Sequence, residues 1–135
     1  MKVVLDTNIL ISAFVFPGGP PEDVFRATLE GRIELVTSPA ILAELGRVLT
    51  SKFGWEPSIA EEAVAQVARI GTVVRPQVTI AEVADDPDDD RILEAALAGR
   101  VDVIISGDRH LLRLRTWRGI KIVRAASFLR SLHGV

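Results

Sequence analysis

Two short runs, Val3-Val4-Leu5 and Val103-Ile104-Ile105, are apolar at every position, and an aspartate follows each: Asp6 directly, and Asp108 after Ser106-Gly107. A strand with one face in water alternates apolar and polar residues, whereas an unbroken run needs cover on both faces. Such runs belong to parallel sheets with helices on either side, and the intervening segments supply the helices. Thr7 to Val15 reads as a helix broken by Pro17 to Pro21, and Pro21 to Gly31 as a second with Val24, Phe25 and Leu29 as its apolar stripe. After a strand at Ile33 to Val36, Ser38 is the expected N-cap of a helix from about Pro39 to Lys52, which carries Ile41, Leu42, Leu45, Val48 and Leu49 at helical spacing.

Ser58 to Ile70 reads as a further helix stopped by Gly71, and Thr72 to Arg75 as a strand. Residues 85 to 90 form an acidic loop that opens a helix running to about Ala98, with Gly99 as its terminator. A strand at residues 102 to 106, a short helix at 108 to 114, a strand at Ile120 to Val123 and a helix at Ala126 to Leu132 complete the chain. The expected fold is therefore α/β, a central parallel sheet between helical layers, in one domain covering residues 1–135.

A chain of 135 residues is long enough to bury its own core. It has no cysteine, which removes disulfides, thiolate zinc sites and cysteine nucleophiles. Two Trp, five Phe and no Tyr leave little material for stacking single-stranded bases. No apolar stretch approaches a membrane span, and Ile9 to Phe16 lacks the basic start and cleavage site of a secretory signal. The chain is read as mature, soluble and cytoplasmic, with no membrane partner. Its net charge of −2 hides an asymmetry. Residues 1–100 carry nine Lys and Arg against sixteen Asp and Glu, and residues 101–135 carry seven against two. An acidic site beside a basic surface is an arrangement suited to nucleic acid.

In a parallel sheet, sites form at the carboxyl ends of the strands. Asp6 and Asp108 emerge at that edge, and the helices carrying Glu44 and Asp90 begin there. Each acid also has an ordinary structural use. Asp6 and Asp108 suit helix N-caps, the aspartates around Pro87 suit a solvated turn, and Arg47 is placed to pair with Glu44. Glu44 and Asp90 nevertheless flank apolar stripes, where an unpaired carboxylate is costly, with Glu94 a weaker candidate on the same side as Asp90. Two carboxylates ~4 Å apart repel by ~4 kcal/mol at an effective dielectric of 20. A divalent cation turns that repulsion into ligation, and an oxygen-only donor set suits Mg²⁺ or Mn²⁺. His110 and His133 read as surface or structural residues.

Four segments together carry a family resemblance. Val3-Val4-Leu5-Asp6-Thr7-Asn8-Ile9-Leu10 resembles the opening motif of PIN-domain (PilT N-terminal) proteins, and Ser38-Pro39-Ala40-Ile41-Leu42-Ala43-Glu44-Leu45 resembles their second. Asp86-Pro87-Asp88-Asp89-Asp90-Arg91-Ile92-Leu93-Glu94-Ala95-Ala96 resembles the third, and Ile104-Ile105-Ser106-Gly107-Asp108-Arg109-His110-Leu111-Leu112 the fourth, with Ser106 where Thr is usual. They occur in order at family-like spacing. The resemblance implies the PIN fold, an α/β/α sandwich, and a Mg²⁺- or Mn²⁺-dependent nuclease cutting RNA. Carried over by position, Asp6, Glu44, Asp90 and Asp108 are the metal-binding, catalytic quartet, with Asn8 and Ser106 in support. The run of aspartates leaves Asp86 or Asp89 as alternatives to Asp90, whose place before Ile92-Leu93 favours it.

The short form is similar to the VapC-like toxins of bacterial toxin–antitoxin pairs, which usually dimerise and are held by an antitoxin. Arg109 and Arg113 are the expected RNA-phosphate contacts. Two rival classes are weaker. A haloacid-dehalogenase-like phosphatase wants a second Asp where this chain has Asn8, and a receiver domain wants a late Lys after a strand, whereas Lys121 lies inside one. A catalytically silent protein of the same fold, binding RNA or a partner, is the remaining alternative.

Overall fold

The computed structural model describes residues 1–83 and 86–133; Asp85, part of the expected acidic loop, lies outside them. The apolar runs pair as the sequence pattern requires. Strand β1 (Lys2–Leu5) leads into α1 (Thr7–Val15) and α2 (Pro20–Leu29), and β2 (Glu34–Thr37) into α3 (Pro39–Ser51) and α4 (Pro57–Ile70). After β3 (Thr72–Val73) come α5 (Pro87–Gly99), β4 (Val103–Ile105), α6 (Arg109–Leu114), β5 (Thr116–Trp117), β6 (Ile120–Val123) and α7 (Ala125–Leu132). No helix among the described residues is long and apolar enough to cross a membrane.

The six strands lie in the order β3-β2-β1-β4-β6-β5. β1 sits between β2 and β4 and is parallel to both, with Val4 opposite Val36 on one side and Leu5 opposite Ile105 on the other. Val3, Val4 and Leu5 are buried, as are Val103, Ile104 and Ile105, so both faces of the sheet centre are covered. α5 packs across β1, β2 and β4, while α1 packs on β1 and against α2 and α3. This is the expected α/β sandwich.

The sheet is not wholly parallel. β5 runs antiparallel to β6 as an edge hairpin, with Thr116 opposite Lys121 and Trp117 opposite Ile120. Its two-residue turn has Arg118 and Gly119 both at positive φ (49° and 82°), the geometry that matches the twist of a tight hairpin. Two residues are too few to show a period, which is why the strand escaped the sequence reading.

Gly99 also differs from expectation. It is the last helical residue of α5, and Arg100 behind it takes the left-handed conformation at φ 51°. The glycine is required by proximity: a Cβ there would stand 2.5 Å from Cγ1 of Val36. Its missing side chain lets the end of α5 lie close on β2.

Candidate active site

The chain builds outward from β1 to β2 and β3, then returns to the other side of β1 with β4. That reversal opens a crevice beyond the carboxyl ends of β1 and β4, the place where ligands bind in open α/β sheets. Asp6 and Asp108 flank it. The Asp6 N–H donates to the Ile105 carbonyl at 2.9 Å, extending the β1–β4 ladder by one residue. Asp6 Oδ2 accepts the Ser106 hydroxyl at 2.7 Å, and Ser106 Oγ accepts the Asp108 N–H at 2.9 Å. One buried serine thus ties the two strand-end acids together.

Asp6 and Asp108 serve as N-caps as well. Asp6 Oδ1 accepts the Asn8 N–H at 3.5 Å, while Asp108 Oδ1 accepts the N–H groups of His110 (2.7 Å) and Leu111 (3.3 Å). A cap takes one face of a carboxylate and leaves lone pairs free, so capping and ligation coexist. Asp86 caps α5 in the same way, its Oδ1 accepting from Asp88 N–H at 3.0 Å. Helix N-termini carry partial positive charge, which partly offsets the gathering of acids.

The first turn of α5 decides the rest of the cluster. The helix begins at Pro87, earlier than the sequence reading placed it, with proline in a first-turn position that suits it. Single carboxylate oxygens of Asp86, Asp89 and Asp108 lie within 4.8 Å of one another. Asp89 is buried, and its Oδ2 has no hydrogen-bond partner among the described residues. Asp90, the acid favoured from the sequence, is committed elsewhere: its Oδ1 accepts the N–H groups of Glu82 (3.0 Å) and Val83 (2.8 Å). Consecutive helical residues point about 100° apart, and here Asp89 turns to the cluster while Asp90 turns to the segment before α5. Glu94, the weaker candidate, is likewise occupied, accepting from the Ile80 N–H and from Arg91, both at 2.8 Å.

Glu44 stands at the edge of the group, near Asp88 and the Thr7 hydroxyl. Arg47 lies at 4.0 Å and is largely exposed, a weak partner. The sequence pattern marks neither Thr7 nor Asp88 for the site: Thr7 directly follows Asp6, and Asp88 falls among the aspartates that suit a solvated turn. Asn8 is exposed and contributes its backbone N–H to Asp6. Arg109 and Arg113 are exposed on α6, which starts at Asp108.

Burial and mutual repulsion raise three of these carboxyls. Asp6 is pushed up to about 6 by burial, against the lowering hydrogen bonds from Ser106 and the Asn8 N–H, with Asp108 and Asp86 adding smaller rises. Glu44 rises to about 7 through burial and Asp88. Asp89 rises to about 8 through burial, then hydrogen bonding and charge from Asp108, with Asp6 and Asp86 adding to it. Carboxyls held this way either keep protons or take up a cation. The partnerless Oδ2 of Asp89 and the all-oxygen donor set fit a hard divalent ion.

A family model for the PIN domain matches residues 2–110. The chain belongs to the PIN-domain family. PIN domains are generally nucleases. The match runs from β1 into the start of α6 and so includes every acid described above. The PIN domain is 33% identical over 120 residues to the uncharacterized protein MJ1680 of Methanocaldococcus jannaschii, covering 85% of this chain and 76% of that one. Its fold is similar to a chain in the crystal structure of VapBC2 from Rickettsia felis bound to a DNA fragment from its promoter, with TM-score 0.62 and 12% identity over 90% of this chain and 97% of that one. PAE2754 from Pyrobaculum aerophilum is similar too, with TM-score 0.57 and 14% identity over 99% and 97%.

Proposed function

We propose that this PIN domain is a Mg²⁺- or Mn²⁺-dependent endoribonuclease, the toxin component of a toxin–antitoxin pair. The observation that carries the reading is the convergence of Asp86, Asp89 and Asp108 beside Asp6, with one buried carboxylate oxygen left unpartnered. Asp86, Asp89 and Asp108 would hold the cation together with Asp6 beside them, and Glu44 would stand at its margin; Asp89 and Asp86 take the place of Asp90 in the quartet expected from the sequence. When bound, such an ion lowers the pKa of a coordinated water and stabilises the oxygens of an in-line phosphoryl displacement.

The remaining work falls to the chain's own groups. The Ser106 hydroxyl holds Asp6 Oδ2 and orders the Asp108 backbone, which fixes the spacing of two ligands. The Asn8 N–H supports Asp6 from the other side. Arg109 and Arg113 would bind RNA phosphates along α6, giving an affinity that falls with salt. With few aromatic residues, recognition would rest on backbone and shape more than on base stacking.

The motif resemblance to VapC-like toxins supports a cognate antitoxin and a homodimer, and the fold similarity to the VapBC2 chain is compatible with both. The test is cleavage of a mixed single-stranded and structured RNA pool with Mg²⁺, Mn²⁺ or EDTA, with Asp6→Asn alongside. Metal-dependent cutting that disappears in the variant supports the nuclease. Absence of cutting by folded, metal-loaded protein turns the reading toward a silent RNA- or partner-binding module.

A further inference from the structure

We infer that Asp90 is a positioning residue which holds Asp86 in the acidic cluster by gripping the segment before it. The inference rests on the metal-site reading above and assigns Asp90 a task other than ligation. The segment Ile80–Val83 has no regular secondary structure, yet the side chains of Ile80 and Val83 are buried. α5 supplies most of what holds its backbone. Ile80 donates its N–H to Glu94 and accepts from Arg91 at 3.1 Å, and Glu82 and Val83 both donate to Asp90 Oδ1. The Glu82 carboxylate accepts from the Trp117 indole and from Arg118 at 3.2 Å, which fastens the segment to the β5–β6 hairpin.

The link to the site is one hydrogen bond further. Val83, gripped through its N–H, accepts the Asp86 N–H on its carbonyl at 3.2 Å. Asp86 then caps α5 and places a carboxylate oxygen in the cluster with Asp89 and Asp108. Asp90 follows Asp89 directly in the chain, so one turn of helix presents Asp89 to the cluster and Asp90 to the segment that delivers Asp86. Two amides on one carboxylate oxygen need an acceptor there, and neither needs the oxygen to be charged. An asparagine side-chain oxygen can take the same place.

The test is calorimetric titration of the whole chain with Mn²⁺, without RNA, for the parent protein, Asp89→Asn, Asp90→Asn and Asp90→Ala. Hydrogen exchange at the Asp86 amide is followed in each. The clamp predicts that Asp90→Asn binds Mn²⁺ within about threefold of the parent, while Asp89→Asn is far weaker. Asp90→Ala should lose about 10–100-fold, the usual cost of an outer partner of a metal ligand, with faster exchange at Asp86. Weakening in Asp90→Asn equal to that in Asp89→Asn overturns the inference, because Asp90 would then act through its charge. Parent-like Mn²⁺ binding and Asp86 exchange in Asp90→Ala overturn it equally. Should Asp90→Ala fail to fold, the comparison of the two asparagine variants decides. If the parent takes up no Mn²⁺, the metal-site reading itself fails, and the clamp stands or falls on Asp86 exchange alone.

Discussion

The strand ends and the first turn of α5 both deliver acids to the same crevice, but by different means. At the strand ends there is one aspartate per strand, and pairing of Leu5 with Ile105 fixes where each emerges. A slip of one residue would send every side chain to the opposite packed face and break the hydrogen bonds that tie Asp6 to Ile105 and Ser106, so packing and those bonds hold the register. In α5 several aspartates compete, and helix phase chooses among them. Asp86 and Asp89 face the cluster while Asp90 faces the neighbouring segment. Sheet register is an all-or-none device, whereas a helix start can move by a residue and hand the site to a different side chain.

The sharpest break in this comparison is at the strand ends. Asp6→Asn or Asp108→Asn should reduce metal-dependent RNA cleavage by more than the about 10–100-fold expected for an outer partner, with the circular dichroism of the fold retained. In α5 the same substitution should be graded: Asp89→Asn severe in a cleavage assay, Asp90→Asn mild. Equal loss at both positions would mean that helix phase does not select the ligand.

The pH dependence follows from the raised carboxyls. Asp6 at about 6, Glu44 at about 7 and Asp89 at about 8 keep protons in the metal-free folded protein that the unfolded chain releases near 4. The folded state then binds more protons through these three groups, so their contribution to stability is fully present below about pH 4 and declines as pH rises to about 8. Thermal unfolding in EDTA across that range should show the decline, and Asp89→Asn should flatten its upper part. Added Mn²⁺ should raise the midpoint more at pH 8 than at pH 5, because ligation competes with protons.

A smaller effect tests how α5 is seated. Gly99→Ala should destabilise by about 1–3 kcal/mol in denaturant unfolding, since its methyl meets Val36 on β2. Smallest of all, Arg109→Ala or Arg113→Ala should each lower the slope of log affinity against log salt for single-stranded RNA by about 0.7, leaving the acid cluster intact.

Much of this was legible along the chain. Val3-Val4-Leu5 and Val103-Ile104-Ile105 announced strands buried on both faces, and Asp6 and Asp108 after them announced the crevice. Glu44 stood out as a carboxylate beside an apolar stripe, and the structure finds it half-buried near Asp88 and Thr7. Other features were out of reach. β5 is too short for a pattern to register. Gly99 looked like a helix terminator, because close approach to Val36 leaves no local mark.

Among the aspartates of residues 86–90, local spacing favoured Asp90, although Pro87 behind Asp86 already signalled an earlier helix start. What the sequence by itself determined is the layered α/β plan and the edge at which the acids gather, because burial period and strand-end placement are local properties of the chain. Which aspartate turns into the acidic cluster was decided only by tertiary structure. That choice depends on how α5 lies on β2 and on which backbone amides of a distant segment claim the neighbouring oxygen.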